Sequence, residues 1–173
     1  MNKKTMKNTF IIVIVLILST NLYSQTEVYE TDIFSIAYPV NWKLNTSIQG
    51  ALFAITSPLV TKEDKFSENV NLIIQDLSGM NIHLDKYVTL SEKQLLLIPK
   101  GEISESKRVE NKDYEYHKIV FKGFLENRNL KGKQVYIIRN EKAYVLTYTG
   151  VGNDYKLYEK YANEILNSFK LKN

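Results

Sequence analysis

The residues of this chain that could bind a metal are few and scattered. The sequence contains two histidines, His83 and His117, and no cysteine. Zinc sites need clustered His, Cys, Asp or Glu ligands, usually at a short spacing such as H-x-H or H-E-x-x-H. Neither histidine belongs to such a pattern. We therefore interpret both as surface or structural residues and predict no metal and no cofactor.

Signatures of a nucleophile or a phosphate site are equally weak. Ser78-Gly79 is the nearest Gly/Ser pair, but it lacks the G-x-S-x-G pattern of a nucleophile elbow and predicts a turn. Gly150-Val151-Gly152 lies between a predicted strand and helix, yet Tyr155 occupies the third glycine position of G-x-G-x-x-G. We expect these glycines to let the chain leave the sheet, with Asn153 or Asp154 capping the helix. No catalytic or cofactor-binding residue is predicted.

Carboxylates suitable for acid/base chemistry are present without a recognisable pairing. The cluster Glu102, Glu105, Glu110 and Asp113 is typical of a solvated strand edge. A hydrolase or metal-dependent enzyme of the cell envelope, with a site that the sequence does not reveal, is the alternative to a binding protein. The two hypotheses differ in what they require, because an enzyme needs a pocket with convergent polar groups and a binding protein needs an exposed contact face.

Two features favour a binding function. Residues 126–133, between two predicted strands, place Arg128, Lys131 and Lys133 at the tip of a hairpin, where they could contact a partner. An ordinary solvated turn is the alternative reading of this segment. The sequence also contains 12 tyrosines, a residue that is frequent both at interfaces and in cores. Five of them fall on neighbouring predicted strands: Tyr114, Tyr116, Tyr136, Tyr144 and Tyr148.

The first 24 residues have the pattern of a secretory signal peptide. Lys3, Lys4 and Lys7 precede nine consecutive apolar residues from Phe10 to Leu18, and small or polar residues follow up to Ser24. This apolar run is shorter than the ~20 residues of a membrane-spanning helix. We predict cleavage after Ser24, an extracytoplasmic mature protein without a membrane span, and a single domain over residues 25–173.

Removal of this leader changes the charge balance. Without its three lysines, 20 of the 23 basic residues remain against 19 acidic ones. A nearly neutral chain lacks the basic stripe that nucleic-acid binding requires, so we predict no nucleic-acid partner. We expect a monomer that acts on an unknown protein or small ligand. About 150 residues without disulfides are enough for one hydrophobic core.

The hydrophobic pattern predicts sheets and two helices. Alternating apolar residues and turn signals indicate strands at 33–38, 51–56, 69–77, 103–109, 114–125, 133–139 and 143–150. Apolar residues at helical spacing indicate helices at 84–98, ending before Pro99, and at 154–169. The second helix is expected to bury Tyr158, Tyr161, Ala162, Ile165 and Phe169. This order predicts an α+β fold, a three-layer α/β/α sandwich around a mainly antiparallel sheet.

A short strand that ends in the corner Pro39-x-x-Trp42, a long central helix and the ending AYVLTYTG followed by a helix with ILNSFK together resemble the PsbP-like family. The resemblance spans roughly residues 30–172. It implies the fold shared with DcrB-type envelope proteins and the Ran-binding nuclear import factor, and a role in binding without catalysis. Pro39 and Trp42 are predicted to form a structural corner, because proline fixes the turn that directs the large indole into the core. A ligand or partner contact is the alternative role of Trp42.

Overall fold

The computed structural model describes residues 25–110 and 114–172. The predicted leader therefore lies outside the described residues, as does Asp113. The helices are α1 (Leu84–Leu96) and α2 (Asp154–Ser168). The strands are β1 (Thr26–Glu30), β2 (Phe34–Pro39), β3 (Lys43–Asn45), β4 (Phe53–Thr56), β5 (Asn69–Asp76), β6 (Glu102–Glu110), β7 (Glu115–Leu125), β8 (Arg128–Arg139), β9 (Lys142–Val151) and β10 (Lys170–Leu171).

These strands form two sheets. The larger sheet has the order β3-β4-β5-β9-β8-β7-β6, and the smaller has the order β1-β2-β10. All the described pairings are antiparallel. The strand pairs β7–β8 and β8–β9 are joined by the two-residue turns Glu126-Asn127 and Asn140-Glu141, whose φ angles are 50°, 60°, 50° and 53°. Positive φ at both central residues is the geometry of a type I′ turn, which suits the twist of paired strands.

The two helices cover opposite faces of the larger sheet. Helix α1 contacts β6, β7 and β8, whereas α2 contacts β9, β5 and β2. The smaller sheet packs on the α2 side, where Phe34 and Ile36 join the core that α2 closes. A second core lies beneath α1 and includes Leu84, Val88 and Leu95. The predicted α+β sandwich is confirmed.

Each helix buries one apolar stripe. In α1 the buried stripe contains Tyr87 and Val88, as the sequence pattern predicts. In α2 the buried residues are Tyr155, Tyr158, Ala162, Ile165 and Leu166. Tyr161 was wrongly expected in this stripe, because its side chain is 38% exposed. Tyr161 therefore lies on the outer flank of the buried stripe.

The Pro-x-x-Trp corner connects β2 to the core beneath α2. Pro39 ends β2, and its carbonyl accepts a hydrogen bond from the Trp42 amide at 2.9 Å. The Trp42 side chain is 3% exposed. Its ring packs edge-on against the Tyr158 ring, with 5.7 Å between centroids and an interplanar angle of 88°. The geometry is that of an aromatic pair joining the corner to α2.

Candidate functional site

The largest described groove lies where the β7–β8 hairpin turns. It has a volume of about 690 Å³, and its walls include Lys100, Lys122 and Lys131 together with Glu102 and Gly152. We call this groove, with the neighbouring Arg128, the hairpin end. Three elements meet there: the α1–β6 connection, the β7–β8 hairpin and the turn between β9 and α2.

The hairpin tip is smaller than the sequence indicates. Only Glu126 and Asn127 form the turn, and β8 begins at Arg128. Arg128, Lys131 and Lys133 therefore belong to a strand and not to a projecting loop. Their positions are fixed by the β8 pairings to β7 and β9, which makes this a rigid surface.

Three cations of the hairpin end are held by aromatic rings. The Lys100 ammonium lies 4.7 Å from the centroid of the Phe124 ring, and the Lys131 ammonium lies 4.5 Å from that of Tyr155. The Arg128 guanidinium carbon lies 5.5 Å from the centroid of Phe66. The ring face attracts the cation but does not cancel its charge.

Within the described residues, none of these three cations is ion-paired with a carboxylate. On the same sheet, by contrast, Lys118 pairs with Glu105 at 2.8 Å and Lys122 pairs with Glu102 at 2.9 Å. The hairpin end therefore carries uncompensated positive charge at fixed positions.

Lys133 does not share this exposure, and its expected location at a solvated tip is wrong. Its side chain is 11% exposed and lies beneath α2. The ammonium donates to Asn163 Oδ1 at 2.5 Å and lies 3.5 Å from Glu159 Oε1. Burial lowers the pKa of Lys133, although Glu159 opposes the shift. Strand side chains alternate between the two faces of the sheet, and α2 covers the face on which Lys133 lies. Lys133 therefore bonds to α2 and is not available to a partner.

Strand register adds a like-charge pair to the hairpin end. Lys122 on β7 faces Lys131 on β8, and Glu102 on β6 faces Lys122 on its other side. Cations directly opposite each other in a sheet repel one another. Glu102 therefore pairs with only one of two adjacent lysines, and an added anion would relieve the repulsion that remains between them.

The back of the groove is supported by a buried carboxylate. Glu68 is 0% exposed, and one of its oxygens accepts the Val151 amide hydrogen at 3.2 Å. Burial is the main cause that raises the pKa of Glu68. A Cβ at Gly150 would lie 2.9 Å from the Tyr155 Cα, so glycine is required for α2 to approach β9. Gly152, at φ 52°, then turns the chain into α2.

The expected cap of α2 is absent. Asn153 occupies the N-cap position, but its side chain makes no capping hydrogen bond. The Gly150-Val151-Gly152 segment thus allows close helix–sheet packing and borders the groove through Gly152.

One Ser–His contact bears on the enzymatic alternative. The Ser106 hydroxyl lies 2.7 Å from His117 Nε2 and donates to Glu92 Oε1 at 2.6 Å. In a hydrolytic triad the carboxylate orients the histidine, whereas here it engages the serine. Burial lowers the pKa of His117, with Arg108 adding to the effect. The contact ties α1 to β6 and β7, and it was missed because only the β6–β7 register brings Ser106 and His117 together.

Metal binding has little support among the described residues. His83 is the exposed N-cap residue of α1 and is on a different element from His117. Residues 25–110 and 114–172 contain no group of three or more His, Asp or Glu side chains arranged to hold a metal. In the same ranges, neither helix has the length and apolarity needed to cross a bilayer.

Comparison with solved structures places this arrangement in a known fold. The cyanobacterial PsbP protein of Synechocystis sp. PCC 6803 superimposes with a TM-score of 0.61 at 10% identity, covering 86% of this chain and 94% of that one. LpqN, involved in cell envelope biogenesis of Mycobacterium tuberculosis, gives 0.63 at 15% identity, covering 86% and 91%. The Ran-binding protein Mog1p of Saccharomyces cerevisiae gives 0.57 at 8% identity, covering 86% and 96%.

The chain therefore has the PsbP-like fold, as the resemblance implies. No protein-family profile matches the sequence. No curated protein matches it either. At these identities the structural similarity shows the fold alone, so the function must be argued from the site.

Proposed function

We propose that this chain is an extracytoplasmic, non-enzymatic accessory protein that binds an acidic segment of a protein partner at the hairpin end. The observation that carries the proposal is the position of three hairpin-end cations over aromatic rings. Lys100, Arg128 and Lys131 rest on aromatic rings and have no carboxylate partner within the described chain. Their charge is therefore available to a ligand.

Pre-positioning strengthens this surface as a binding site. A flexible lysine loses conformational freedom when a partner immobilises it, at a cost of about 0.5–1.5 kcal/mol for each side chain. Rings beneath the cations restrict that freedom before binding. Complementary charge also accelerates the encounter with an acidic partner and makes it sensitive to salt.

The structural neighbours are compatible with an accessory role. One is named for cell envelope biogenesis and another for binding Ran. The signal-peptide pattern of residues 1–24 supports export. Expression of the full chain in a bacterial host should give an extracytoplasmic product that begins at Gln25. Recovery of the intact chain from the cytoplasm would contradict the export part of the proposal.

The binding part is tested by charge reversal. The variant K100E/R128E/K131E should fold with nearly unchanged stability, because surface substitutions usually fall within about 0.5 kcal/mol. Its affinity for a fluorescent peptide of alternating aspartate and serine should fall by about a hundredfold or more, measured by anisotropy at low salt. The parent should bind this peptide and release it as salt rises.

A control with the same charge change distinguishes a local effect at the hairpin end from a general effect of the protein's net charge. K86E/K93E/K160E changes three exposed helix lysines outside the groove and should retain most of the affinity. Equal loss in both triple variants, or binding by K100E/R128E/K131E at the parent affinity, would refute the hairpin end as the site. Inorganic phosphate as a competitor distinguishes a small anion from a peptide: displacement at low phosphate concentration would indicate a small-anion site.

A further inference from the structure

A second concave surface runs along the flank of α1, on the opposite face of the sheet from α2. Two adjoining cavities, of about 240 and 490 Å³, share Gln75, Tyr87, Ser91 and Gln94 in their walls. We call the pair the α1 trough. It exists because α1 lies over β6–β8 and leaves part of the sheet near β5 uncovered.

The lining of the α1 trough is almost free of charge. The smaller cavity has uncharged polar side chains on its walls and Ile73, Leu95, Ile98 and Val145 as its apolar surface. In the larger cavity Asp76 is the one charged residue, at one end. Its Oδ1 already accepts hydrogen bonds from the Ser78 amide at 2.9 Å and the Ser78 hydroxyl at 2.6 Å. This surface therefore offers no strong attraction to an ionic ligand, unlike the hairpin end.

Two tyrosines hold two of the three glutamines of the α1 trough, Gln75 and Gln134. The Tyr87 hydroxyl donates to Gln75 Oε1 at 2.5 Å, and the Tyr136 hydroxyl donates to Gln134 Oε1. Burial raises the pKa of both tyrosines, so both hydroxyls remain protonated donors across the physiological pH range. The rings support each other at 5.7 Å between centroids.

Unused hydrogen-bonding groups remain on Gln75, which Tyr87 holds, and on Gln94, which is exposed on α1. Within the described chain, neither Gln75 Nε2 nor the side-chain amide of Gln94 makes a hydrogen bond to protein. An amide supplies two donors and an acceptor, which complement the donor and acceptor of a peptide group. Apolar residues between the glutamines can receive the side chains of such a ligand.

The shape of the α1 trough favours an extended ligand. Its helical wall runs from Tyr87 to Leu95, about 12 Å at the rise of an α-helix. An extended peptide of about four residues spans this length. We infer that the α1 trough binds an uncharged, extended polypeptide segment, with Gln75 and Gln94 bonding to its backbone and the apolar wall contacting its side chains.

Selection from a phage-displayed library of random hexapeptides tests this inference. The immobilised full domain should enrich sequences without net charge, and a synthetic peptide of the selected sequence should bind in solution. Gln94→Trp places a large side chain in the α1 trough and should lower the affinity for this peptide about tenfold or more. Thr89→Trp is the matched control, because Thr89 is also exposed on α1 and lines neither cavity. Thermal melting of both variants verifies that they fold.

The remaining outcomes decide against the inference. Enrichment of acidic peptides whose binding is lost in K100E/R128E/K131E would assign peptide binding to the hairpin end alone. Equal weakening by Gln94→Trp and Thr89→Trp, or no enrichment, would also overturn it. A third outcome is that the domain binds maltohexaose but no peptide, and that Gln94→Trp abolishes this binding. The α1 trough would then bind sugar, and the assigned ligand class would be wrong. Binding of a neutral peptide is expected to survive the charge-reversal variant, so this test is independent of the proposed function.

Discussion

Aromatic residues serve opposite purposes in two regions of this molecule. At the corner, Trp42 is buried and packs against Tyr158. At the hairpin end, Phe124 and Tyr155 hold lysine ammonium groups over their faces. The first arrangement removes apolar area from water, whereas the second holds the half-buried Lys131 and the exposed Lys100 in place while they keep their charge.

This difference implies that one set of aromatic residues determines folding stability and the other determines partner binding. Loss of the corner should unfold the protein without a specific effect on charge recognition, and loss of the hairpin-end cations should abolish recognition without unfolding. Lys118, which pairs with Glu105 outside the hairpin end, shows the contrasting case of a cation whose charge a carboxylate neutralises. Substitutions in each of the two regions test whether this separation holds.

Trp42→Ala should have the largest effect on stability. Removal of a buried tryptophan costs about 3–5 kcal/mol through lost contacts and the remaining cavity. Chemical denaturation should show this loss, while any folded fraction retains its affinity for the acidic peptide. Val40→Ala is the control, because Val40 is exposed near the same corner. A Trp42→Ala variant that unfolds at the parent midpoint would instead favour a surface role for Trp42.

Lys133→Met should affect stability more than Lys131→Met, although both lysines lie on β8. Lys133 is buried against Asn163 and Glu159, so its loss leaves these groups without their donor and should cost about 1–2 kcal/mol. Lys131→Met should change stability by less than about 0.5 kcal/mol. Binding should show the reverse order, with the acidic peptide weakened mainly by Lys131→Met. Equal effects of the two variants on both properties would end the distinction between these lysines.

Phe124→Leu should weaken binding without removing a charge. The ring beneath Lys100 contributes an interaction of about 0.5–1 kcal/mol, which corresponds to a roughly two- to fivefold loss of affinity for the acidic peptide. Leu125→Ala, at an exposed position on the same strand, is the control. Unchanged affinity in Phe124→Leu would mean that the ring does not pre-position the ammonium.

The long elements were predictable from sequence because their patterns are local. Alternation and helical spacing located β5, β7, β9 and both helices to within a few residues. Strands β1, β3 and β10 were missed because they are short, and β10 forms only by pairing with a distant strand, as Lys170 does with Ser35. Such pairing depends on tertiary structure, and short strands carry little periodicity of their own.

The candidate site was only partly predictable, for the same reason. The sequence places cations near the hairpin, but the alternation along β8 alone does not reveal that α2 covers Lys133 and leaves Lys131 open. Lys100 was not considered, because only the fold brings the α1–β6 connection to the β7–β8 hairpin. The rings beneath Lys100 and Arg128 likewise come from elsewhere: from the distal part of β7 and from the loop before β5.

Glu68→Gln should have the smallest effect on binding and a pH-dependent effect on stability. Burial, with added repulsion from Asp154 and Asp64, raises the pKa of Glu68 in the folded state. The folded state therefore holds this proton more tightly than the unfolded state does. The resulting stability is fully present below the ordinary carboxyl pKa and is lost as pH rises through the raised value.

Glutamine resembles the protonated form and keeps an oxygen for the Val151 amide. We expect Glu68→Gln to be more stable than the parent at neutral pH by on the order of 1 kcal/mol, with the difference narrowing below about pH 4. Melting curves across this range test the sign, with Glu63→Gln as an exposed control on the same loop. A less stable Glu68→Gln at neutral pH would show that the ionised carboxylate supports the back of the hairpin end.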